Sequence, residues 1–125
     1  MKLYHITNNR ATAVAIKDIP VVEYVDLYND LKERMKDSRY HIGHYFATEI
    51  ENGLKFYLIL LDDMSGEVYL TSFIPDYYAE GLASLTAVHH QFHPFEREIH
   101  ELYGVPFDNH PWLKPLRFPF DRRDK

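Results

Sequence analysis

Apolar residues recur at helical spacing in two stretches of the chain. In the first, one helical face would carry Val21, Val25, Tyr28, Leu31 and Met35. Asp18 and Pro20 are typical of a helix entry, and Asp37 ends the pattern. This stretch is the clearest helix that the sequence predicts.

The second helical stretch ends at Gly104. Its apolar stripe consists of Phe95, Ile99, Leu102 and Tyr103. Ser84 or Thr86 can cap the helix, Pro94 can split it, and Gly104 can end it because glycine takes the left-handed conformation readily. We therefore expect the apolar stripe to be part of the core.

Strand patterns occupy the middle of the chain and a segment before the first helix. Thr12–Ile19 is short, apolar and partly β-branched, which predicts a first strand. Three further strands, Tyr40–Glu51, Leu54–Leu61 and Glu67–Ile74, follow at hairpin spacing. Because Leu54–Leu61 shows no alternation, we expect it to be a middle strand that is buried on both faces.

The order of these elements predicts an α+β fold. Asn52-Gly53 and Ser65-Gly66 supply turn residues between the three strands, which favours an antiparallel meander, and Pro75–Ser84 is expected to be a loop. The expected architecture is a two-layer sandwich with a mixed, mainly antiparallel sheet of about four to five strands and two main helices. Residues 1–104 would form the domain, and 105–125 a C-terminal arm of that domain.

The C-terminal arm combines prolines with large apolar side chains. The apolar residues are Phe107, Trp112, Leu113, Leu116, Phe118 and Phe120, and the prolines are Pro106, Pro111, Pro115 and Pro119. Proline removes amide donors and restricts the residue before it, so the arm is unlike a central strand or a helix. Its apolar side chains need a cover, and its basic end favours an acidic partner; we therefore expect a docking element.

The residues around the second helix also carry a family resemblance. They are Ser84-Leu85-Thr86, Glu96-Arg97-Glu98, Glu101, Leu102-Tyr103-Gly104, Phe107, His110-Pro111, Leu113 and Lys114. In these residues the chain resembles the 30 kDa (C-type) subunit of respiratory complex I, a domain that also occurs in energy-converting, membrane-bound nickel–iron hydrogenases. The chain departs from the family pattern at Pro94 and at Lys114-Pro115.

The resemblance implies a structural subunit of an oxidoreductase complex that is not catalytic alone. Such a subunit holds no cofactor and packs against the 49 kDa type, or hydrogenase large, subunit on the cytoplasmic face of the membrane. Its partner-binding residues would be Glu96, Arg97, Glu98, Glu101, His110, Trp112, Lys114 and Arg117. The short length and the wording of residues 95–104 favour the hydrogenase branch slightly over NADH:quinone oxidoreductase.

Composition limits the functions that the chain can have. It contains no cysteine, which excludes disulfides and cysteine-ligated iron–sulfur clusters. Its net charge of -5 speaks against a nucleic-acid binder. No apolar run approaches the roughly 20 residues of a membrane span, and the N-terminus lacks the pattern of a signal peptide. We expect a cytoplasmic chain that is peripheral to the membrane through its complex and does not insert into it.

The histidines offer an alternative function, a small metal-dependent enzyme. One helix face would carry His89, His93, Glu96 and His100. No HExxH motif is present, so we expect no metal site. His41 and His44 stand three residues apart on a strand, which predicts that they point to opposite faces.

The glutamates of the second helix are the other candidates for chemistry. Glu96, Glu98 and Glu101 are expected on an exposed face, where they would lack the cleft and the unlike environments of an acid/base pair. Arg97 stands four residues before Glu101, so a weak surface ion pair is one interpretation. The favoured interpretation is that Arg97 anchors a subunit interface or the arm, because guanidinium groups bind carboxylates through two hydrogen bonds.

Overall fold

The computed structural model describes residues 3–8, 14–75 and 82–108. Contacts divide the chain into two compact units, Met1–Pro75 and Asp76–Lys125. The elements of the first unit are β1 (His5–Asn8), a 3-10 turn (Ile16–Asp18), α1 (Tyr24–Arg34), β2 (Tyr40–Ile50), β3 (Gly53–Asp62) and β4 (Glu67–Phe73). Those of the second are β5 (Leu82–Ala83), a 3-10 turn (His90–Phe92), α2 (His93–Tyr103) and β6 (Phe107–Asp108).

The first unit is built on a four-stranded sheet in the order β1-β4-β3-β2. All three neighbouring pairs are antiparallel, which confirms the predicted meander of β2, β3 and β4. The turns contain Asn52 at φ 68 and Gly66 at φ 75, conformations that asparagine and glycine tolerate. With two main helices in the chain, the sheet confirms the α+β class.

The first strand lies earlier in the chain than its pattern predicts. The strand predicted at Thr12–Ile19 was wrong over its described part, because a 3-10 turn occupies Ile16–Asp18. The pairing segment is β1, which runs from His5 opposite Leu70 to Asn8 opposite Glu67. Apolar, β-branched composition indicates burial against a sheet as well as pairing within it, and here Ile16 and Ile19 cover a sheet face.

α1 begins later than predicted. Val21 and Val25 are 54% and 63% exposed, so their assignment to the buried helix face was wrong, whereas Leu31 is fully buried as predicted. The main chain before the helix pairs with β4 instead: the Val22 amide donates to Ser72 O at 2.8 Å. This pairing keeps the segment extended, so helical conformation starts only at Tyr24.

β3 lies between β4 and β2, which confirms its internal position. The prediction that it is buried on both faces was wrong. Its even-numbered residues are buried and its odd-numbered residues are only half-buried. The difference arises because α1 packs on one face, with the Tyr24 ring 4.7 Å from Phe73.

Arg34 at the end of α1 joins the helix to the sheet. Its guanidinium lies 5.1, 4.9 and 5.2 Å from the ring centres of Tyr4, Tyr40 and Tyr69. Arg34 Nε donates to Asp30 Oδ2 at 2.9 Å, and the Tyr4 hydroxyl donates to the same oxygen at 2.6 Å. Burial raises the pKa of Tyr4, so its hydroxyl stays protonated and remains a donor.

A bulge at Gly43 interrupts β2. The pairing register with β3 shifts between Ile42 and His44. A Cβ atom on Gly43 would lie 3.2 Å from Ile59 Cγ2, so the close approach favours glycine. The bulge places His41 and His44 on the same sheet face, because both pair with the odd-numbered residues of β3. The prediction that they point to opposite faces was therefore wrong.

The second unit contains a short parallel strand pair and α2. Leu82 lies opposite Phe107 in β5 and β6, so the predicted loop Pro75–Ser84 contains a strand at its described end; residues 76–81 lie outside the described ranges. α2 ends at Gly104, which has φ 74 and donates its amide to His100 O at 2.8 Å, as predicted. No helix in the described ranges is long and apolar enough to cross a membrane.

Candidate functional site

The candidate site consists of α2 and the segment 82–86 that is bound to it. Of the predicted partner-binding residues, the structure describes Glu96, Arg97, Glu98 and Glu101. The remaining ones, His110, Trp112, Lys114 and Arg117, lie outside the described residues, as does most of the predicted arm.

The Glu96 carboxylate binds the segment Ser84 to Thr86. Oε1 accepts from Ser84 Oγ at 2.5 Å, from Thr86 Oγ1 at 2.7 Å and from the Thr86 amide at 3.2 Å. Oε2 accepts from the Leu85 amide at 2.7 Å. Glu96 is 0% exposed, and Ser84 and Leu85 are also buried. We call this arrangement the Glu96 clasp.

The clasp satisfies a carboxylate that would otherwise be costly to bury. Burial raises the pKa of Glu96 above its ordinary value, and the hydrogen bonds from Ser84, Thr86 and the Leu85 amide oppose that change. A buried acidic group is tolerated only when its oxygens are hydrogen-bonded. The predicted role of Ser84 or Thr86 as a helix cap was wrong, since both hydroxyls bind the side chain of Glu96 in the interior of α2.

The buried face of α2 differs from the predicted one. Glu96 and Glu101 are 0% and 2% exposed, so the prediction of an exposed carboxylate face was wrong for both. Ile99 is buried as predicted, but Leu102 is 44% exposed and does not belong to the core. The reason is that the segment 82–86 presents polar donors to the helix, and these donors require an acceptor rather than an aliphatic side chain.

The chain after α2 returns along the same segment. His100 Nδ1 lies 2.9 Å from Val105 O, and since a carbonyl can only accept, Nδ1 carries the proton. The Leu82 amide donates to Pro106 O at 3.0 Å, and the Ser84 amide donates to Asp108 O at 2.9 Å. Segment 82–86 is therefore bound on one side by main-chain pairing and on the other by the clasp.

The histidine face of the alternative function is not assembled. His89 precedes the helix in an extended conformation, at φ -155, and its Nδ1 accepts from the Gln91 amide at 3.2 Å. It therefore does not share a helix face with His93. Glu96 and His100 are engaged in the contacts given above. Within residues 3–8, 14–75 and 82–108, no three His, Asp or Glu side chains cluster as a metal ion would require.

Comparison with known proteins agrees with the motif residues. The family described as "Respiratory-chain NADH dehydrogenase, 30 Kd subunit" matches residues 19–122, which is most of the chain. The chain belongs to this family. The resemblance predicted from the motif residues is therefore confirmed, and it extends into the first unit.

A member of a related assembly is also similar. It is the C-type subunit of the F420H2 dehydrogenase of Methanosarcina mazei, which is 48% identical over 40 residues, or 32% of this chain and 25% of that protein. The similar region thus spans about a quarter of the length of this relative. Both comparisons indicate a subunit of a complex I-like complex.

Sequence reasoning missed the pairing of Ser84 and Thr86 with Glu96. A signal was present: the triplet Ser84-Leu85-Thr86 belongs to the same family motif as Glu96, although its members are too far from it to contact it along one helix. Polar residues in a motif that stand apart in sequence can bind one another, and buried carboxylates need such partners.

Proposed function

We propose that the chain is a non-catalytic assembly subunit of a complex I-like redox complex, in which it packs against the 49 kDa type or nickel–iron large subunit. Family membership over residues 19–122 carries this proposal. The electron donor and acceptor would be bound by other subunits, because this chain contains no cysteine for an iron–sulfur cluster. The complex would hold the chain at the cytoplasmic face of the membrane.

The geometry of α2 divides the motif residues into two groups. Glu96 and Glu101 are buried, and we assign them the role of holding the helix in position. Arg97 and Glu98 are half-buried and Leu102 is 44% exposed, so this side of α2 is accessible to a partner. An exposed leucine beside an arginine matches the apolar and arginine-rich composition of interface centres.

The remaining predicted contacts fall in the arm. We propose that His110, Trp112, Lys114 and Arg117 contact the large subunit together with the accessible side of α2. The structural role of this protein is then to join two subunits rather than to act on a substrate. The metal-enzyme alternative has no geometric support among the described residues.

Co-purification tests the proposal. A tagged chain expressed with its neighbouring genes should recover a large subunit of the 49 kDa or nickel–iron type. Leu102→Asp should lower this recovery by roughly tenfold or more, as expected for a residue near an interface centre. Val25→Asp is the matched control, since Val25 is 63% exposed on α1.

Circular dichroism must first show that both variants fold. If Leu102→Asp and Val25→Asp leave recovery equal to that of the wild type, α2 is not the docking helix. If no large subunit is recovered with the wild-type chain, the proposed function itself is wrong. Truncation after Leu116 tests the arm in the same assay, and we expect it to reduce recovery without unfolding the domain.

A further inference from the structure

The first unit has a sheet face opposite α1 for which the proposed function has no use. Cross-strand pairing places its residues in rows. They are His5, Leu70, Ile59 and His44; Thr7, Val68, Leu61 and His41; Ser72, Tyr57 and Phe46; and Lys55 with Thr48. We call this set of residues the outer face.

A groove runs over the centre of the outer face. It has a volume of about 280 Å³, and its lining includes Ile16, Ile19, Phe46, Tyr57, Ile59 and Leu70. Ile16 is 63% exposed, while Phe46 and Tyr57 are half-buried. The rings of Phe46 and Tyr57 stack at 5.3 Å, and His44 stacks on Phe46 at 4.8 Å, which makes a flat aromatic surface. Accessible apolar surface of this kind marks an interaction site.

The charges around the groove have one sign at the strand positions. Of the described strand residues, none on the outer face is Asp or Glu, although the whole chain has a net charge of -5. Lys55 lies beside the groove, with Nζ 5.0 Å from the ring centre of Tyr57. His5 and His44 stand at the two ends of the row that contains Leu70 and Ile59.

Two carboxylates lie near this surface, and neither reverses its charge. Asp63, in the turn after β3, is 3.0 Å from His41 Nδ1 and is therefore paired with a residue of the outer face. Asp18 follows Lys17 in the 3-10 turn that forms one wall of the groove, so their charges offset each other. A cationic or neutral surface on an acidic chain attracts an acidic partner.

From this combination we propose that the outer face is a second docking surface, which receives an apolar segment with carboxylate side chains from a neighbouring subunit. The proposal rests on the proposed function only for the existence of that neighbour, and it does not involve α2. Apolar side chains of the segment fill the groove, and its carboxylates lie against Lys55 and the edge histidines. This arrangement has the apolar centre and the polar rim of protein interfaces.

Photo-crosslinking in the assembled complex tests the location of the surface. The photoreactive residue p-benzoylphenylalanine replaces Phe46 in the groove, Leu102 on α2, or Val25 on the exposed side of α1, in separate preparations. Phe46 is expected to crosslink to a neighbouring subunit, in a peptide that contains apolar and acidic residues, and Val25 is expected not to react with a neighbour. Mass spectrometry identifies the peptide.

The outcomes separate this proposal from the proposed function. A crosslink from position 102 to the large subunit, with none from position 46 to another subunit, overturns the second docking surface and leaves the proposed function standing. A crosslink from position 46 only to its own chain, to a second copy or to a peptide without carboxylates also overturns it. If neither position reacts with another subunit, both proposals are wrong.

A pair of charge reversals tests the acidic character of the partner. Lys55→Glu is compared with Lys32→Glu, because Lys32 is exposed on α1. Lys55→Glu should weaken retention in the complex by roughly two- to tenfold, as expected for an ion pair at an interface rim, and the loss should shrink as salt screens the charges. Lys32→Glu should have no effect. Equal retention of the two folded variants would overturn the acidic partner.

Discussion

Replacement of Glu96 by alanine is the most direct test of the site geometry. The substitution removes the acceptor of four hydrogen bonds, which come from Ser84 Oγ, the Leu85 amide, the Thr86 amide and Thr86 Oγ1. The two hydroxyl groups can rotate toward other acceptors, and the Thr86 amide retains Ser84 Oγ at 3.1 Å. The Leu85 amide has no such alternative among the contacts described above.

The expected loss of stability follows from these contacts. An orphaned buried amide costs about 1–3 kcal/mol, and a buried group that loses its partners with an accompanying cavity adds to this cost. Removal of the buried acidic group recovers part of its desolvation penalty. We therefore expect Glu96→Ala to lower the free energy of unfolding by about 2–4 kcal/mol.

Glu98→Ala is the matched control, because Glu98 is only half-buried on the same helix. It should change stability by about 0.5 kcal/mol or less. Urea unfolding followed by circular dichroism measures both variants. Hydrogen exchange of the Leu85 amide provides a local readout, since this amide should lose protection in Glu96→Ala and keep it in Glu98→Ala.

A double-mutant cycle with Ser84→Ala separates the clasp from a general loss of helix stability. The coupling free energy between Ser84 and Glu96 should be about 1–2 kcal/mol, as is typical of groups in one buried network. Equal stability losses in Glu96→Ala and Glu98→Ala, together with unchanged exchange at Leu85, would refute the clasp. Coupling near zero would show that the two side chains act independently.

Four further predictions follow from individual residues. Because burial raises the pKa of Glu96 above 4.5, the folded protein keeps this proton to a higher pH than the unfolded chain; the stability advantage of wild type over Glu96→Gln should be largest below pH 4.5 and fall as the pH rises, and an advantage that grows with pH would show that the donors outweigh burial. Leu102→Ala should cost less than about 1 kcal/mol in urea unfolding, because Leu102 is 44% exposed, and a cost like that of a core leucine would contradict the described helix face. Arg34→Met, which keeps most of the aliphatic length but loses Asp30 and the three ring contacts, should cost about 1–3 kcal/mol, and thermal unfolding at unchanged stability would refute the role assigned to Arg34. Elemental analysis of protein purified without a metal-binding tag should find no stoichiometric metal, whereas one equivalent of zinc lost in His93→Ala would revive the alternative function.

The meander and its turns could be predicted from the sequence because their signals are local. Alternation over Tyr40–Glu51 and Glu67–Ile74, with turn residues at Asn52-Gly53 and Ser65-Gly66, is enough to indicate three antiparallel strands. The end of α2 at Gly104 is local in the same sense, since glycine takes the left-handed conformation required there. The family was also evident from an ordered motif.

Other features depended on residues distant in sequence. The start of α1 is set by main-chain pairing of Val22 with Ser72, and the common face of His41 and His44 is set by the close approach of Gly43 to Ile59. Neither contact leaves a signal in the local pattern of apolar residues.

The burial of Glu96 is the plainest case of this difference. By itself, the sequence determined that residues 93–103 form a helix with one buried aliphatic position at Ile99, because helical periodicity is a local property. Only the tertiary structure decided that Glu96 is buried and Leu102 is exposed. The physical reason is that the facing segment Ser84 to Thr86 presents amide and hydroxyl donors, and buried donors stabilise a carboxylate where an aliphatic side chain would leave them unsatisfied.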